Sequence, residues 1–525
     1  MHSNTSTLFF PVNEFDFYTF LFENDFKAII PELFLVCVCI LLLMYGVILS
    51  TSNVNKYPLL LNNLSWLSIL TLVFTFLLLK NNFITNASIF YNTLILDDFT
   101  LYLKILVVFS CFFSILISLN YIKKQSFNAF EYSILVLLST CSMLFLIASA
   151  DFLSMYLAIE LQSLCFYVMA ACKRNSEFST EAGLKYFLLG AFSSGILLFG
   201  ISLIYGFTGI TNFSELAKVF ACGITDVYND SNANFSLRAC ELGMIFILVG
   251  FLFKLTAVPF HMWAPDVYEG APTSVTAFFS IAPKISILAI MVRVFTDSFY
   301  DFMVPWQKMI IFSSLASMIL ASFAAMSQNK IKRLLAFSSI GHVGYLLIGI
   351  CCGTIEGLQA LFIYLVVYIV MTINIFAIVL SPLKRELNAL IQPISQVKYT
   401  TDLNMVSKTN PVLAFTFSLT LFSIAGIPPL AGFYSKAFLF FAAMSSTMYL
   451  LAIIGVLTSV ISCFYYIRLI KIMYFETGKN WLSFSQVKKE NALILGITLF
   501  FIVFFMVFPT PLYLISHKFA LSLCS

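Results

Sequence analysis

Charge is what this sequence has least of. Only 10% of its 525 residues are Asp, Glu, Lys or Arg, against about 25% in a soluble chain. With 60% of residues hydrophobic, no soluble fold of this length could cover its apolar surface. Histidine is rarer still, at four residues, and no Lys or Arg precedes Lys27, which excludes a basic secretory signal or an Arg-rich transit peptide and leads us to expect insertion without a cleaved presequence. No CxxC occurs among the twelve cysteines. Cys37, Cys39, Cys111, Cys141, Cys165, Cys351, Cys352 and Cys463 lie inside apolar runs, where cysteine acts as a small hydrophobe. A metal site and an iron–sulfur cluster are therefore not expected in this chain. No GxGxxG follows a strand, and the basic residues form only short scattered clusters. A dinucleotide-binding domain and a nucleic-acid surface are both excluded on that ground.

What is present is a succession of apolar runs of about 20 residues, each long enough to cross the hydrocarbon core as a helix. They lack the alternation of a transmembrane barrel. The fold class expected is an all-α polytopic membrane protein of about fourteen transmembrane helices, with polar loops near 208–239 and 381–408. With the N-terminus outside, one side of the membrane collects Lys56, Lys123, Lys124, Lys173, Arg174, Lys330, Lys332, Arg333, Lys384, Arg385, Lys398, Lys408, Lys479, Lys488 and Lys489. The other side carries Asp97, Asp98, Asp151, Asp297 and Asp301. That asymmetry is the positive-inside pattern, and it needs an even number of spans.

Two spans are interrupted by proline and glycine. The seventh, expected at 240–262, runs into Pro259, Pro265 and Pro272; the twelfth, expected at 409–432, contains Gly426, Pro428, Pro429 and Gly432. Five spans separate them, so the five-helix units that hold them have opposite topology, the pattern of an inverted repeat with an ion site at its broken helices. The organisation expected is an N-terminal extension with three leading helices over 1–129, a first repeat over 130–297, a second over 298–475, and a final helix over 476–525.

Ionisable residues inside apolar spans are costly and mark function by default. Here they fall beside the breaks: Glu160 in span five, Lys185 in span six, Lys254 just before the first break, Lys284 in span eight, and Lys436 just after the second break. His261 and His342 add two groups that titrate near neutral pH. Lys104 is expected at an interface, and Arg293 and Arg468 as anchors at span ends. Lys185 and Lys436 have the alternative of snorkelling to the surface, and His261 that of bonding backbone freed by the prolines. The energetics favour proton transfer: about 2.3 kcal/mol per charge per 100 mV puts roughly 4 kcal/mol on each proton at 150–200 mV. That corresponds to a swing of about three pKa units, within the range that burial and a movable carboxylate impose on a lysine.

FKLTAVPFHMWAPDVYEGAPTSVTAFFSIAPKISI (253–287), KRLLAFSSIGHVGYLLIG (332–349) and FSIAGIPPLAGFYSKAFLF (422–440) together resemble the antiporter-like proton-channel family of NADH:quinone oxidoreductase, respiratory complex I, in its subunit-2 branch. The resemblance covers roughly 130–475. It implies fourteen helices with inverted repeats, Glu160 and Lys254 as a coupling pair, Lys185 as an additional span-six lysine, Lys284 as the central lysine and Lys436 as the lysine near the outlet. Lysine at 436 departs from the sister branch 4, which carries glutamate there. The function implied is proton translocation coupled to NADH oxidation and quinone reduction carried out elsewhere in the complex. This chain is then part of an enzyme without a redox site or bound cofactor of its own; NADH, flavin, iron–sulfur clusters and ubiquinone belong to partner subunits. Its expected partners are other membrane-arm subunits and the bilayer, in a mitochondrial inner membrane or, alternatively, a bacterial plasma membrane. The competing readings are a cation/proton antiporter subunit without redox coupling and a non-pumping spacer.

Overall fold

The computed structural model describes residues 24–50, 57–82, 87–124, 130–226, 231–381, 383–387, 390–391, 397–476, 482–484 and 487–524. The apolar runs are helical because, in hydrocarbon, each backbone N–H and C=O must be paired within its own segment. In order they are α1 (Ile30–Ser50), α2 (Tyr57–Lys80), α3 (Asp98–Lys124), α4 (Glu131–Ala148), α5 (Phe152–Ala170), α6 (Glu177–Thr208), α7 (Phe213–Asp226), α8 (Ser231–Leu255) and α9 (Trp263–Gly270). There follow α10 (Thr273–Arg293), α11 (Met303–Met326), α12 (Ile331–Cys351), α13 (Ile355–Val379), α14 (Pro411–Ala425), α15 (Ala431–Ser445), α16 (Tyr449–Tyr474), α17 (Lys489–Phe504) and α18 (Thr510–Cys524).

Among the described residues, eleven helices are long and apolar enough to cross a membrane. The expected crossings outside that count are the seventh, twelfth and fourteenth, and each is divided: α8/α9, α14/α15 and α17/α18. Two expected boundaries are corrected. The seventh crossing begins at Ser231, not at 240, and the twelfth continues past its break to Ser445. The loop at 208–239 contains α7, whose apolar residues Phe213, Leu216 and Phe220 are buried. In the 381–408 loop, a strand Leu383–Leu387 pairs antiparallel with Leu390–Ile391 and with Leu482–Phe484. A short hairpin, Ala87–Ile89 with Leu94–Leu96, precedes α3.

The centre of the bundle is α10, every residue of which is buried, flanked by α12 and α13, which are nearly as enclosed. By contrast α1, α6 and α16 show long apolar faces, for example Ile40, Leu41 and Ile48 on α1. Lipid tails satisfy such faces as well as a neighbouring helix would.

A buried ion pair also joins α1 to α3. Lys104 on α3 is not interfacial as the sequence suggests. Its Nζ lies 2.6 Å from Glu32 Oε1 on α1, with the two side chains 3% and 2% exposed. Arg293 is likewise no surface anchor. It is fully buried, donating to Asp97 Oδ2 at 2.9 Å and to the Ile147 carbonyl at 3.1 Å, with its guanidinium over the Phe99 ring. The end of α10 is thereby tied to Asp97, just before α3, and to one C-terminal carbonyl of α4. Burial pushes the Asp97 carboxyl above the usual carboxylate range, with Arg293 pulling the other way and Asp98 adding to the rise. Arg468, which donates to the Met326 carbonyl from an exposed position, sits where an end anchor should.

Candidate functional site

α8 stops at Leu255 because the chain turns sharply there, with Thr256 in the left-handed region at φ 66° and a cis Val258–Pro259 bond. The helix-end carbonyls find partners outside the helix, as they must at membrane depth. Thr256 N–H donates to Phe253 O at 3.1 Å, Ala257 N–H to Leu252 O at 2.9 Å, and the Trp263 indole N–H also to Phe253 O at 3.1 Å. Pro265, expected to break the helix, falls in the first turn of α9, where a missing N–H is harmless. The break itself spans 256–262.

The second break is built differently. α14 ends on Gly426 at φ 91°, a conformation glycine adopts without cost. The chain passes through a cis Pro428–Pro429 bond and re-enters a helix so tightly that a Cβ on Gly432 would lie 1.8 Å from Ser423 O. Here a charged side chain caps the free carbonyls: Lys436 Nζ donates to Ile424 O at 2.8 Å and to Ala425 O at 3.1 Å. A cation at a helix C-terminus is also favoured by the helix dipole.

The first break leaves Lys254 without that role. Its Nζ is buried, has no hydrogen-bond partner and stands 6.0 Å from the centroid of the Tyr167 ring, at the edge of cation–π reach. Glu160 on α5 is half-buried; its Oε2 accepts from Ser163 Oγ at 3.4 Å while Oε1 has no partner. Ser163, which contacts Glu160, lines the same cavity as Lys254, but Glu160 and Lys254 do not form an ion pair. Both halves of the expected pair are thus present, adjacent and open.

Lys254 and Lys284 line one cavity of about 20 Å³, with Gln162, Ser163, Tyr186, Thr256 and Tyr268 among its walls. That volume admits a water, and the walls offer the polar partners a water needs. Lys284 is held on its far side. Its Nζ donates to Tyr368 Oη at 3.0 Å and to Ser339 O at 3.3 Å, and lies over the Tyr368 ring at 5.0 Å. Pro283 explains part of this arrangement. A proline inside a helix removes the N–H that would bond the carbonyl four residues back, here Phe279 O, and Tyr268 Oη donates to that carbonyl at 3.3 Å. Tyr368 Oη donates to the next carbonyl, Ser280 O, at 3.2 Å.

From Lys284 the polar groups continue through tyrosines. The His342 ring lies 5.1 Å from the Tyr368 ring, and its Nδ1 is hydrogen-bonded to Tyr364 Oη at 2.6 Å. Tyr345 neighbours both His342 and Tyr364, and Lys436 Nζ lies 5.2 Å over the Tyr345 ring. His342, Tyr345 and Lys436 share a second, smaller cavity of about 10 Å³ with Thr458, Ser462, Tyr465 and Tyr466. Lys254, Lys284, His342 and Lys436 therefore lie along one buried polar track, and among the described residues none of the three lysines has a carboxylate within 4.0 Å.

Two expected site residues are placed elsewhere. Lys185 is exposed and ion-paired with Glu181 at 2.7 Å and Asp266 at 3.3 Å, because its position near the start of α6 lets its stem reach the helix end. His261 is buried in the first break with Nδ1 unpartnered, but it does not line the cavity of Lys254 and Lys284. The residues missed are the tyrosines. Their signal is faint but present: Tyr364 and Tyr368 stand one turn apart in an otherwise apolar run, so they share a face.

Residues 149–462, more than half of the chain, match the family described as NADH:quinone oxidoreductase/Mrp antiporter, TM. NADH-ubiquinone oxidoreductase chain 2 of Marchantia polymorpha is 58% identical over 505 residues, covering 96% of this chain and 100% of its own length. The protein of the same name from Oenothera berteroana is 53% identical over 503 residues, covering 95% and 99%. A chain of respiratory complex I from Thermus thermophilus, solved with bound aureothin, has a TM-score of 0.74 at 23% identity over 92% of this chain and 98% of that one. That structure shares the fold.

Proposed function

This chain belongs to the NADH:quinone oxidoreductase/Mrp antiporter transmembrane family, and on that premise we propose that Glu160, Lys254, Lys284, His342 and Lys436 carry protons through it. It is a proton-translocating membrane subunit of NADH:ubiquinone oxidoreductase, multi-pass in the mitochondrial inner membrane, and works among the other membrane-arm subunits. On this reading NADH, flavin, iron–sulfur clusters and ubiquinone bind elsewhere in the complex, and this chain contributes the proton path.

The single observation that carries the reading is the cavity shared by Lys254 and Lys284. A buried ammonium group beside space for water can lose and regain a proton without first exposing itself to lipid. The Glu160 carboxylate then sets when Lys254 holds its proton, since an opposite charge within about 4–6 Å favours the charged form. A proton leaving Lys254 crosses the cavity to Lys284. Beyond Lys284, hydroxyls that both donate and accept (Tyr368, Tyr364) and the His342 ring continue towards Lys436. Lys185 and His261 lie beside this track rather than on it, and the inverted repeats remain the simplest account of why two broken helices flank it.

The test is the complex carrying Lys284→Met, reconstituted in vesicles. Proton uptake per NADH oxidised falls while the complex still assembles; an unchanged ratio rejects the relay. The family's Mrp antiporter members favour one other reading, a cation/proton exchanger without redox coupling. Sodium-driven proton exchange by this chain, away from any NADH-oxidising assembly, is the result that reading requires.

A further inference from the structure

We propose that Asp266 and Glu269 on α9, with Lys330, Lys332 and Arg333 at the start of α12, form a charged joint that passes movement of the first broken helix to the helix carrying His342. The proposal rests on the proton relay read above and adds the residues that would keep its two ends in step.

α9 is one of the shortest helices in the chain, and it is gripped on two sides. Towards α6, the Trp263 ring stacks on Tyr186 at 4.5 Å, and a Cβ on Gly270 would lie 2.5 Å from Phe178 O. Towards α12 the grip is ionic. Asp266 Oδ1 lies 3.5 Å from Arg333, with Oδ2 turned back to Lys185 of α6 at 3.3 Å, while Glu269 is paired with Lys330 and, at 3.4 Å, with Arg333. Lys332 Nζ donates to the backbone instead, to Ala271 O at 2.7 Å and Glu269 O at 3.5 Å, capping the end of α9 as Lys436 caps α14. Isolated exposed ion pairs hold little. This set converges on one eight-residue helix, with Glu269 largely buried, and it includes a direct tie to backbone.

The two ends of the joint lead directly to the relay. At one end, the Trp263 indole of α9 is bonded to Phe253 O, one residue before Lys254. At the other, α12 continues from Arg333 to Ser339, whose carbonyl accepts from Lys284, and to His342. Helix α12 is unbroken between them, and at about 1.5 Å per residue Arg333 and His342 are roughly 13 Å apart on one rod. Displacing α9 when Glu160 closes on Lys254 shifts the start of α12, and with it the groups that hold Lys284 and His342.

The experiment uses the whole complex in vesicles, comparing Glu269→Gln, Asp266→Arg, Arg333→Asp and the exchanged pair Asp266→Arg/Arg333→Asp, with Lys284→Met as reference. Single changes should lower proton uptake per NADH oxidised by about 2- to 30-fold, the span seen for residues that modulate coupling without touching either site. The exchanged pair should recover part of it, held back because Asp266→Arg also faces Lys185 and Arg333→Asp also faces Glu269; a merely local loss of packing would allow no recovery. Loss in Lys284→Met with normal uptake in Glu269→Gln rejects the joint and keeps the relay; normal uptake in Lys284→Met rejects the relay and the joint with it. In the unaltered complex, amide exchange over 263–270 and 331–336 should change together when turnover begins. A change in one stretch and not the other overturns the proposal even if a variant fails to assemble.

Discussion

Tyr368 accepts a hydrogen bond from Lys284 at 3.0 Å and donates one to Ser280 O, a carbonyl one turn before Lys284 on the same helix. One hydroxyl thus ties a buried ammonium group to the backbone beside a proline within the helix.

Tyr368→Phe keeps the ring and removes that hydroxyl. The complex should still assemble, because the ring continues to fill its place against His342. Proton uptake should slow by about 10- to 150-fold, the loss of one hydrogen bond to a charged group at about 1.5–3 kcal/mol. Stopped-flow acidification of vesicles alongside NADH oxidation reads both effects. An uptake rate equal to the parent's would remove Tyr368 from the path.

Glu160→Gln keeps the shape of the side chain and the Ser163 contact while deleting the carboxylate charge next to the wall of the Lys254 cavity. Uptake per NADH should fall at neutral pH, and the fall should be deeper on the alkaline side, since Lys254 then has no carboxylate to favour its charged form. The measurement is the pH profile of pumping for Gln against Glu at 160. Parallel profiles would mean that the two residues do not act on one another.

Glu32 and Lys104 give the opposite kind of test. Removing one partner leaves a charge buried and alone at about 3–5 kcal/mol, whereas replacing both with apolar residues of similar size is often neutral. Lys104→Met should therefore reduce the amount of assembled complex on native gels, and Glu32→Leu/Lys104→Met should restore it. Pumping per assembled complex should match the parent in the double variant. A double variant that assembles and fails to pump would move this pair from architecture into the proton path.

Much of this arrangement is legible in the sequence, for reasons that are local. Apolar length exposes the helices, and proline with glycine exposes both breaks. A lone charge in an apolar run marks Lys254, Lys284 and Glu160. What the sequence conceals depends on which face of a helix points inward, and membrane helices here are apolar all round. Lys104 and Arg293 read as residues near span ends until α1 and α3 are seen to bury them. Lys185 reads as intramembrane until its stem is seen to reach Asp266. The tyrosines escape notice because their rings suit a core and only their hydroxyl partners betray a second use. Pro265 illustrates the same limit: whether it breaks a helix or begins one depends on a boundary that residue type alone does not set.

The two interrupted helices are finished by different chemistry, a neutral indole at Phe253 O and an ammonium at Ile424 O and Ala425 O. An indole keeps its hydrogen whatever the pH, so the first ending is permanent and Lys254 is at liberty to change state. At the second ending, the cation that would give up a proton is also the cap: the neutral amine keeps two N–H groups for the two carbonyls, but without the charge it holds them more weakly, and each return of the proton tightens the seal. Alike in outline, the pair cannot trade places: one is built to let go easily and the other to be pulled back.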